Sequence, residues 1–176
     1  MLTDFLDKEI VYIGLGSNMG DRVSLIRKAV ELIRKIPRIN VLEVSSLYET
    51  EPVDMKSDDW FINCIVAIET DLACFELLFI LQEIETTMGR KKSAEKVSRP
   101  IDIDILVWEN RVLGSESLCI PHSELHKRKF ILIPLDEINA NMKIPKHNMT
   151  PQELLDNLEG EDARYEIRIM EDKIDI

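Results

Sequence analysis

The stretch "RPIDIDILVW", residues 99–108, reads as a strand with two different faces. Side chains alternate across an extended chain, so Ile101, Ile103 and Ile105 leave one side while Asp102 and Asp104 leave the other. The isoleucines, with Leu106 and Val107, are what a buried strand requires. Two neighbouring carboxylates are unfavourable unless a cation lies between them or their face is well solvated. A divalent metal satisfies the first condition, and a solvated edge strand the second.

This strand is the last of a pattern that starts at residue 9. Residues 9–15 ("EIVYIGL") form a first strand ending in Gly16-Ser17-Asn18, and Asp21 to Ile36 carries Val23, Ile26, Val30 and Ile33 on a helical stripe that Pro37 ends. A second strand is expected over 39–49, a polar loop over 50–59 and a third strand over 60–70. A second amphipathic helix runs from Leu72 to Met88, with Gly89 in the stop position. The order β-α-β-β-α-β predicts an α+β, ferredoxin-like core, a mostly antiparallel sheet flanked by helices.

Downstream lies an extension of hairpin and helices. "RVL" and "SLCI" are expected as short strands, "KRKFILIPLDEI" as a helix interrupted by Pro134, and "TPQELLDNL" as a short helix capped by Thr150 with Pro151 in its first position. The tail, about 161–176, alternates Tyr165, Ile167 and Ile169 with charges, and reads equally as an added edge strand or a frayed end. Without a linker or internal repeat, residues 1–176 are expected to form a single domain.

Composition narrows the function classes. A 176-residue chain with 45% hydrophobic and 31% charged residues is an ordinary globular protein that buries about two-thirds of its unfolded surface. No run of eighteen apolar residues and no basic, apolar leader is present, so neither a membrane partner nor a signal peptide is expected, and a cytoplasmic location follows. Cys64, Cys74 and Cys119 are odd in number, widely spaced and set among apolar residues, as suits reduced core thiols. The net charge of −11 opposes a nucleic-acid partner, but not a local site for a small anion.

Such a site is visible. Between Arg90 and Arg99 stand five basic residues (Arg90, Lys91, Lys92, Lys96, Arg99) and one acid, Glu95, and this segment runs directly into the strand with the paired aspartates. Cationic side chains hold phosphate oxygens and aspartates hold magnesium, so the combination suits a metal–nucleoside triphosphate. Gly14-Leu-Gly16-Ser17-Asn18 is half of a dinucleotide fingerprint, with its third glycine at 20; read simply, it is a tight turn where backbone can approach a ligand. His122 and His126 have the spacing of helical zinc ligands, but Pro121 precedes them and no third ligand is evident; His122 is better placed as a phosphate contact. Asn63, inside an apolar strand, either reads a heterocycle with an amide edge or serves a structural network.

Taken together, "YIGLGSNMGDR", "SSLYETEPV", "FINCIVAIET", "GR…RPIDIDIL" and "IPHSELHKRKFILIPL", in that order over about residues 9–145, resemble the 6-hydroxymethyl-7,8-dihydropterin pyrophosphokinases of folate biosynthesis. The resemblance implies an ATP-dependent transfer of an intact pyrophosphoryl group to the pterin hydroxymethyl oxygen, with ATP as co-substrate and two Mg2+ ions held by Asp102 and Asp104. It implies that Arg90 and Arg99 stabilise charge on the transferred group. Gln82, Glu85, Lys92, Lys96, Arg99, Ile105, His122, Ser123 and Arg128 fall at nucleotide positions. Thr50, Val53, Phe61, Asn63 and Phe130 fall at pterin positions, with Phe130 as a stacking partner. The basic loop is one residue shorter than in the best-known bacterial form, Val97 stands nearest its loop tryptophan, and Ser123 stands where a tyrosine can follow the histidine. The loops at 50–59 and 90–99 are expected to move on binding.

Two other classes are compatible with single features. A nucleotidyltransferase of the polymerase-β type also combines a Gly-Ser turn with paired aspartates, but at far shorter spacing than Ser17 to Asp102. A ferredoxin-like sensor domain would leave the aspartate pair and its basic flank without a purpose.

Overall fold

The structure is a computed structural model and describes residues 8–52, 59–91, 98–160 and 163–174. Its centre is β1 (Glu9–Ser17), which pairs antiparallel with β4 (Phe61–Thr70) on one side and with β5 (Asp102–Trp108) on the other. With β2 (Ile39–Val44), β3 (Tyr48–Thr50) and β8 (Ile167–Ile169) the sheet has six strands, in the order β5-β1-β4-β3-β8, and β2 also pairs with β4. Every pairing is antiparallel, and the crossovers are those of the expected βαββαβ core.

The alternation read in residues 101–107 extends across the sheet. Val11, Ile13, Leu15, Ile62, Cys64, Val66, Ile68, Ile103 and Ile105 form one core with the buried stripes of α1 (Arg22–Arg34) and α2 (Cys74–Thr87). In α1 that stripe is Ile26, Ala29, Val30 and Ile33, and the helix starts where Asp21 accepts the Ser24 N–H at 3.1 Å. In α2 it is Leu77, Leu81 and Ile84, and Gly89 ends the helix at φ +94°, where a side chain would be strained. Each fully buried leucine or isoleucine contributes about 1.5–3 kcal/mol, so this face supplies most of the fold's hydrophobic stabilisation.

The opposite face is covered only in part. Tyr12, Ile65, Ala67 and Leu106 pack under α3 (Lys129–Asn139) and α4 (Pro151–Asp156) through Ile131, Leu132, Leu135 and Leu154. Thr150 and Glu153 cap α4 reciprocally, each side chain accepting the other's N–H. The short strands β6 (Leu113–Gly114) and β7 (Cys119–Ile120) form the expected hairpin. All three cysteines are free, and among the described residues no helix is long and apolar enough to cross a membrane.

Three segments differ from, or complete, the sequence reading. The single strand expected over 39–49 is two strands, broken at Ser45–Leu47. There the Glu137 carboxylate, brought over from α3, accepts the Ser46 N–H at 2.9 Å, the Ser46 hydroxyl at 2.8 Å and the Tyr48 hydroxyl at 2.8 Å. Side-chain bonds thereby replace ladder bonds at the break. The helix expected to be interrupted by Pro134 is continuous: one missing N–H is tolerated because Pro134 itself packs into the buried side of α3. The tail is an edge strand, β8, with Ile167 opposite Thr50 and Ile169 opposite Tyr48.

Candidate active site

The uncovered part of the second face is where the polar chemistry lies. Gly16 is paired with Asn63 on one side and Asp102 on the other; Gly14 is paired with Ile65 and Asp104. Directly paired residues project to the same face, so the two glycines leave a floor of bare backbone between the amide and the carboxylates. A Cβ at Gly16 would stand 2.8 Å from Asn63 Oδ1, and one at Gly14 3.0 Å from Leu106 Cδ1. Above this floor opens a cavity of about 310 Å3.

One end of the cavity is ionic. Asp102 is ion-paired with Arg90 Nη1 at 2.6 Å through one oxygen and accepts from Arg99 Nη1 at 2.8 Å through the other. Arg90 is also ion-paired with Glu85, whose carboxylate accepts the Ile103 N–H at 2.7 Å and so ties the end of α2 to β5. Burial pushes the Glu85 carboxyl up to about 7, against the opposing pull of the Ile103 N–H and Arg90. Asp104 is pushed up to about 6, first by burial and then by the charge of Asp102, with Arg128, Arg90 and Arg99 partly offsetting both. Among the described residues none donates a hydrogen bond to the Asp104 carboxylate.

Further cationic or neutral donors surround these acids. Arg128 lies just before α3, its guanidinium 5.8 Å from the Phe130 ring centroid. Burial, then the nearby Arg128, holds the His122 imidazole below its ordinary range. His122 Nδ1 accepts the Glu124 N–H at 3.2 Å, so the neutral ring carries its proton on Nε2.

The other end is aromatic and amide-bearing. Asn63 is buried and donates through Nδ2 to Thr50 Oγ1 at 2.8 Å, while Phe61 and Phe130 enter the cavity from β4 and α3.

Ten of the residues singled out in the sequence line this one cavity: Thr50, Phe61 and Asn63 from β3 and β4, Asp102 and Asp104 from β5, Arg90, Arg99, His122 and Arg128 from loops, and Phe130 from α3. Four others do not line it. Gln82 is exposed on α2, Glu85 is buried beneath Arg90, Ser123 is exposed beside His122, and the Ile105 side chain belongs to the core on the opposite face. Val53, Lys92 and Lys96, and most of the two loops expected to move, lie outside the described residues. His126, the other half of the zinc-like spacing, lies against His147 with ring centroids 5.0 Å apart and ring planes tilted by 33°.

Asn18 was not singled out as a site residue, yet it fastens the end of the basic loop to β1. Its Oδ1 accepts the Arg99 N–H at 2.8 Å, and its Nδ2 donates to Ser98 Oγ at 3.0 Å. The available signal was an amide just after a glycine-rich strand end, facing a loop eighty residues away.

The family model described as 7,8-dihydro-6-hydroxymethylpterin-pyrophosphokinase (HPPK) matches residues 12–141. The chain is 42% identical over 129 residues to the 2-amino-4-hydroxy-6-hydroxymethyldihydropteridine pyrophosphokinase of Bacillus subtilis, covering 73% of this chain and 77% of that protein. It is 41% identical over 156 residues to the folic acid synthesis protein fol1 of Schizosaccharomyces pombe, covering 89% of this chain and 21% of that longer protein. Among solved structures, Plasmodium falciparum HPPK-DHPS wild type with pterin and p-hydroxybenzoate shares the fold, with a TM-score of 0.66 at 19% identity over 89% of this chain and 42% of that one. The extent of the family match, together with the Bacillus identity, means that this chain belongs to the 7,8-dihydro-6-hydroxymethylpterin-pyrophosphokinase family.

Proposed function

We propose that the protein transfers pyrophosphate from ATP to the hydroxyl of 6-hydroxymethyl-7,8-dihydropterin, giving AMP and the pterin diphosphate. The observation that carries this reading is a single cavity with two chemically different ends over a glycine floor. Asn63, lining the cavity with Phe61 and Phe130, suits a flat heterocycle with an amide edge, whose donors and acceptors a buried amide can match. Arg90, Arg99, Arg128 and His122 suit a chain of phosphates.

The paired carboxylates fit a magnesium site. They offer only oxygen donors, Asp104 lines the cavity without a hydrogen-bond donor among the described residues, and Asp102 is a carboxylate that already draws two cationic groups to it. Asp102 and Asp104 would hold two Mg2+ ions arriving with ATP, and the chemistry these supply is withdrawal of charge from the phosphate oxygens. Arg90 and Arg99, which line the same cavity beside Asp102, would face the transferred group. The hydroxymethyl oxygen forms its bond to the β-phosphorus and gives its proton to solvent, the bond from that phosphorus to the α–β bridging oxygen breaks, and AMP leaves with the electron pair. The guanidinium groups stabilise the charge that develops, and Asn63 with the two phenyl rings holds the hydroxymethyl group in line. On this reading residues 1–176 act as one catalytic domain on two soluble substrates, which suits a cytoplasmic location.

The test is nucleotide analysis after mixing the protein with ATP, magnesium and the pterin. AMP and pterin diphosphate form together only when all three are present; pyrophosphate release would indicate a nucleotidyltransferase, and ADP formation or no turnover would remove the proposal altogether.

Gly16→Ala probes the pterin end separately. The new Cβ meets Asn63 Oδ1 at 2.8 Å and drives the amide from Thr50, so the pterin KM rises about tenfold with the ATP KM little changed. Equal rises in both KM values would detach Asn63 from pterin recognition.

A further inference from the structure

The tail strand β8 lies beyond residues 12–141 matched by the family model, yet it is tied to the cavity. Helix α3, which carries Phe130, starts badly. The first N–H groups of a helix have no partner within it, and a side-chain acceptor at the N-cap normally takes one. Here the N-cap is Arg128, which only donates, and it makes no capping bond. The Phe130 N–H is instead taken at 2.9 Å by the hydroxyl of Tyr165, 35 residues further along. The Tyr165 ring also lies against the Phe130 ring, centroids 6.3 Å apart and tilted by 55°.

The segment that presents Tyr165 is itself held firmly. Lys129 Nζ donates to the carbonyls of Ala163 at 3.1 Å and Tyr165 at 3.3 Å. Glu51, next to Thr50, accepts the Glu166 N–H at 2.7 Å and donates its own N–H to the Glu166 carbonyl at 3.2 Å. The Arg168 guanidinium lies 4.6 Å from the ring centroid of Trp60, the neighbour of Phe61. The tail therefore touches the immediate supports of Thr50, Phe61 and Phe130, all at the aromatic end, and none of these bonds reaches the ionic end.

We propose that the tail 163–169 is a positioning element of the pterin half of the site, and that Tyr165 is its positioning residue, supplying from a distant part of the chain the cap that α3 lacks and so fixing the Phe130 ring. This rests on the pyrophosphokinase reading.

Tyr165→Phe removes the hydroxyl alone, and Tyr165→Ala removes the ring as well. Losing one hydrogen bond that acts on a single binding partner raises the pterin KM roughly three- to tenfold in the first variant, with more in the second. The kcat and ATP KM stay near those of the wild type. Direct titration of the pterin through its own fluorescence shows the same weakening of affinity. An unchanged pterin KM and affinity in both variants overturns the role of Tyr165, as does a parallel rise in both substrate KM values accompanied by a lower melting temperature, which marks a merely structural residue. Wild-type turnover separates the two readings: AMP formation with unaffected variants refutes only the tail's role, whereas a wild type that neither binds the pterin nor makes AMP refutes both.

Discussion

Asp104→Asn lowers magnesium-dependent AMP formation by about three orders of magnitude or more while raising the melting temperature of the metal-free protein. The two effects have one cause. Asp104 is a half-buried carboxylate in the cavity, beside the charge of Asp102 and without a hydrogen-bond donor among the described residues. That arrangement costs stability when no metal is bound.

The sign with pH follows from the raised carboxyl, about 6 in the fold against 3.8 as the reference. Because the folded protein holds this proton more tightly, the penalty is absent below about pH 4, grows through the range from 4 to 6 and is complete above it. Its full size is on the order of 3 kcal/mol. The stability gain of Asp104→Asn in chelator is therefore close to zero near pH 4 and largest near neutrality. Unfolding in EDTA at several pH values, alongside AMP assays at pH 7.5, measures both. A variant that retains turnover within tenfold of the wild type would remove Asp104 from the chemistry, and one that is less stable at neutral pH would contradict the burial argument.

Arg90→Ala is expected to lose on both counts. Turnover falls by about two to three orders of magnitude, as for other single groups that stabilise developing charge. Stability falls too, by about 1 kcal/mol near pH 7 and more above it, because a nearly inaccessible Glu85 loses its counter-ion and, with its carboxyl already pushed up to about 7, takes up a proton in its place. Asp102 loses one of its two guanidinium partners at the same time. With Arg90 gone the Glu85 carboxyl is pushed above its present position of about 7, so the loss is small near pH 5 and deepens as pH rises from about 6 to 8. Arg90→Lys restores much of the stability, since an ammonium neutralises Glu85, but little of the rate, since it lacks the planar fork that serves two acceptors. Unfolding and steady-state rates of the two variants across that pH range decide it; an Arg90→Ala protein as stable as the wild type would mean that Glu85 is already neutral in the fold.

The opposite stability signs of Asp104→Asn and Arg90→Ala separate the two kinds of group in this site. Asp104 is a carboxylate set beside a like charge, and Arg90 is a guanidinium paired with Glu85 and Asp102. Tyr165 and Asn18 belong to a third kind, holding site residues in place without lining the cavity.

The order of strands and helices, and the face on which each residue lies, could be read from the chain because they are local. Alternation in residues 101–107 puts Ile103 and Ile105 in one core and Asp102 and Asp104 on the other face, and the stripe of α1 follows from a period of 3.6. The paired aspartates after a basic segment likewise marked the ionic end, since both features lie within twenty residues of each other. The break between β2 and β3, the clamp of Asn18 on Arg99, the cap of Tyr165 on Phe130 and the choice of strand for the tail were decided only by the tertiary structure. Each is a hydrogen bond or strand pairing between groups 35 to 121 positions apart, the last being Tyr48 with Ile169 (169 − 48). Propensity and periodicity sum the interactions of near neighbours along the chain, whereas a carboxylate, an amide, a hydroxyl or a free strand edge has many possible partners, and only the packed sheet determines which of them comes within 3 Å.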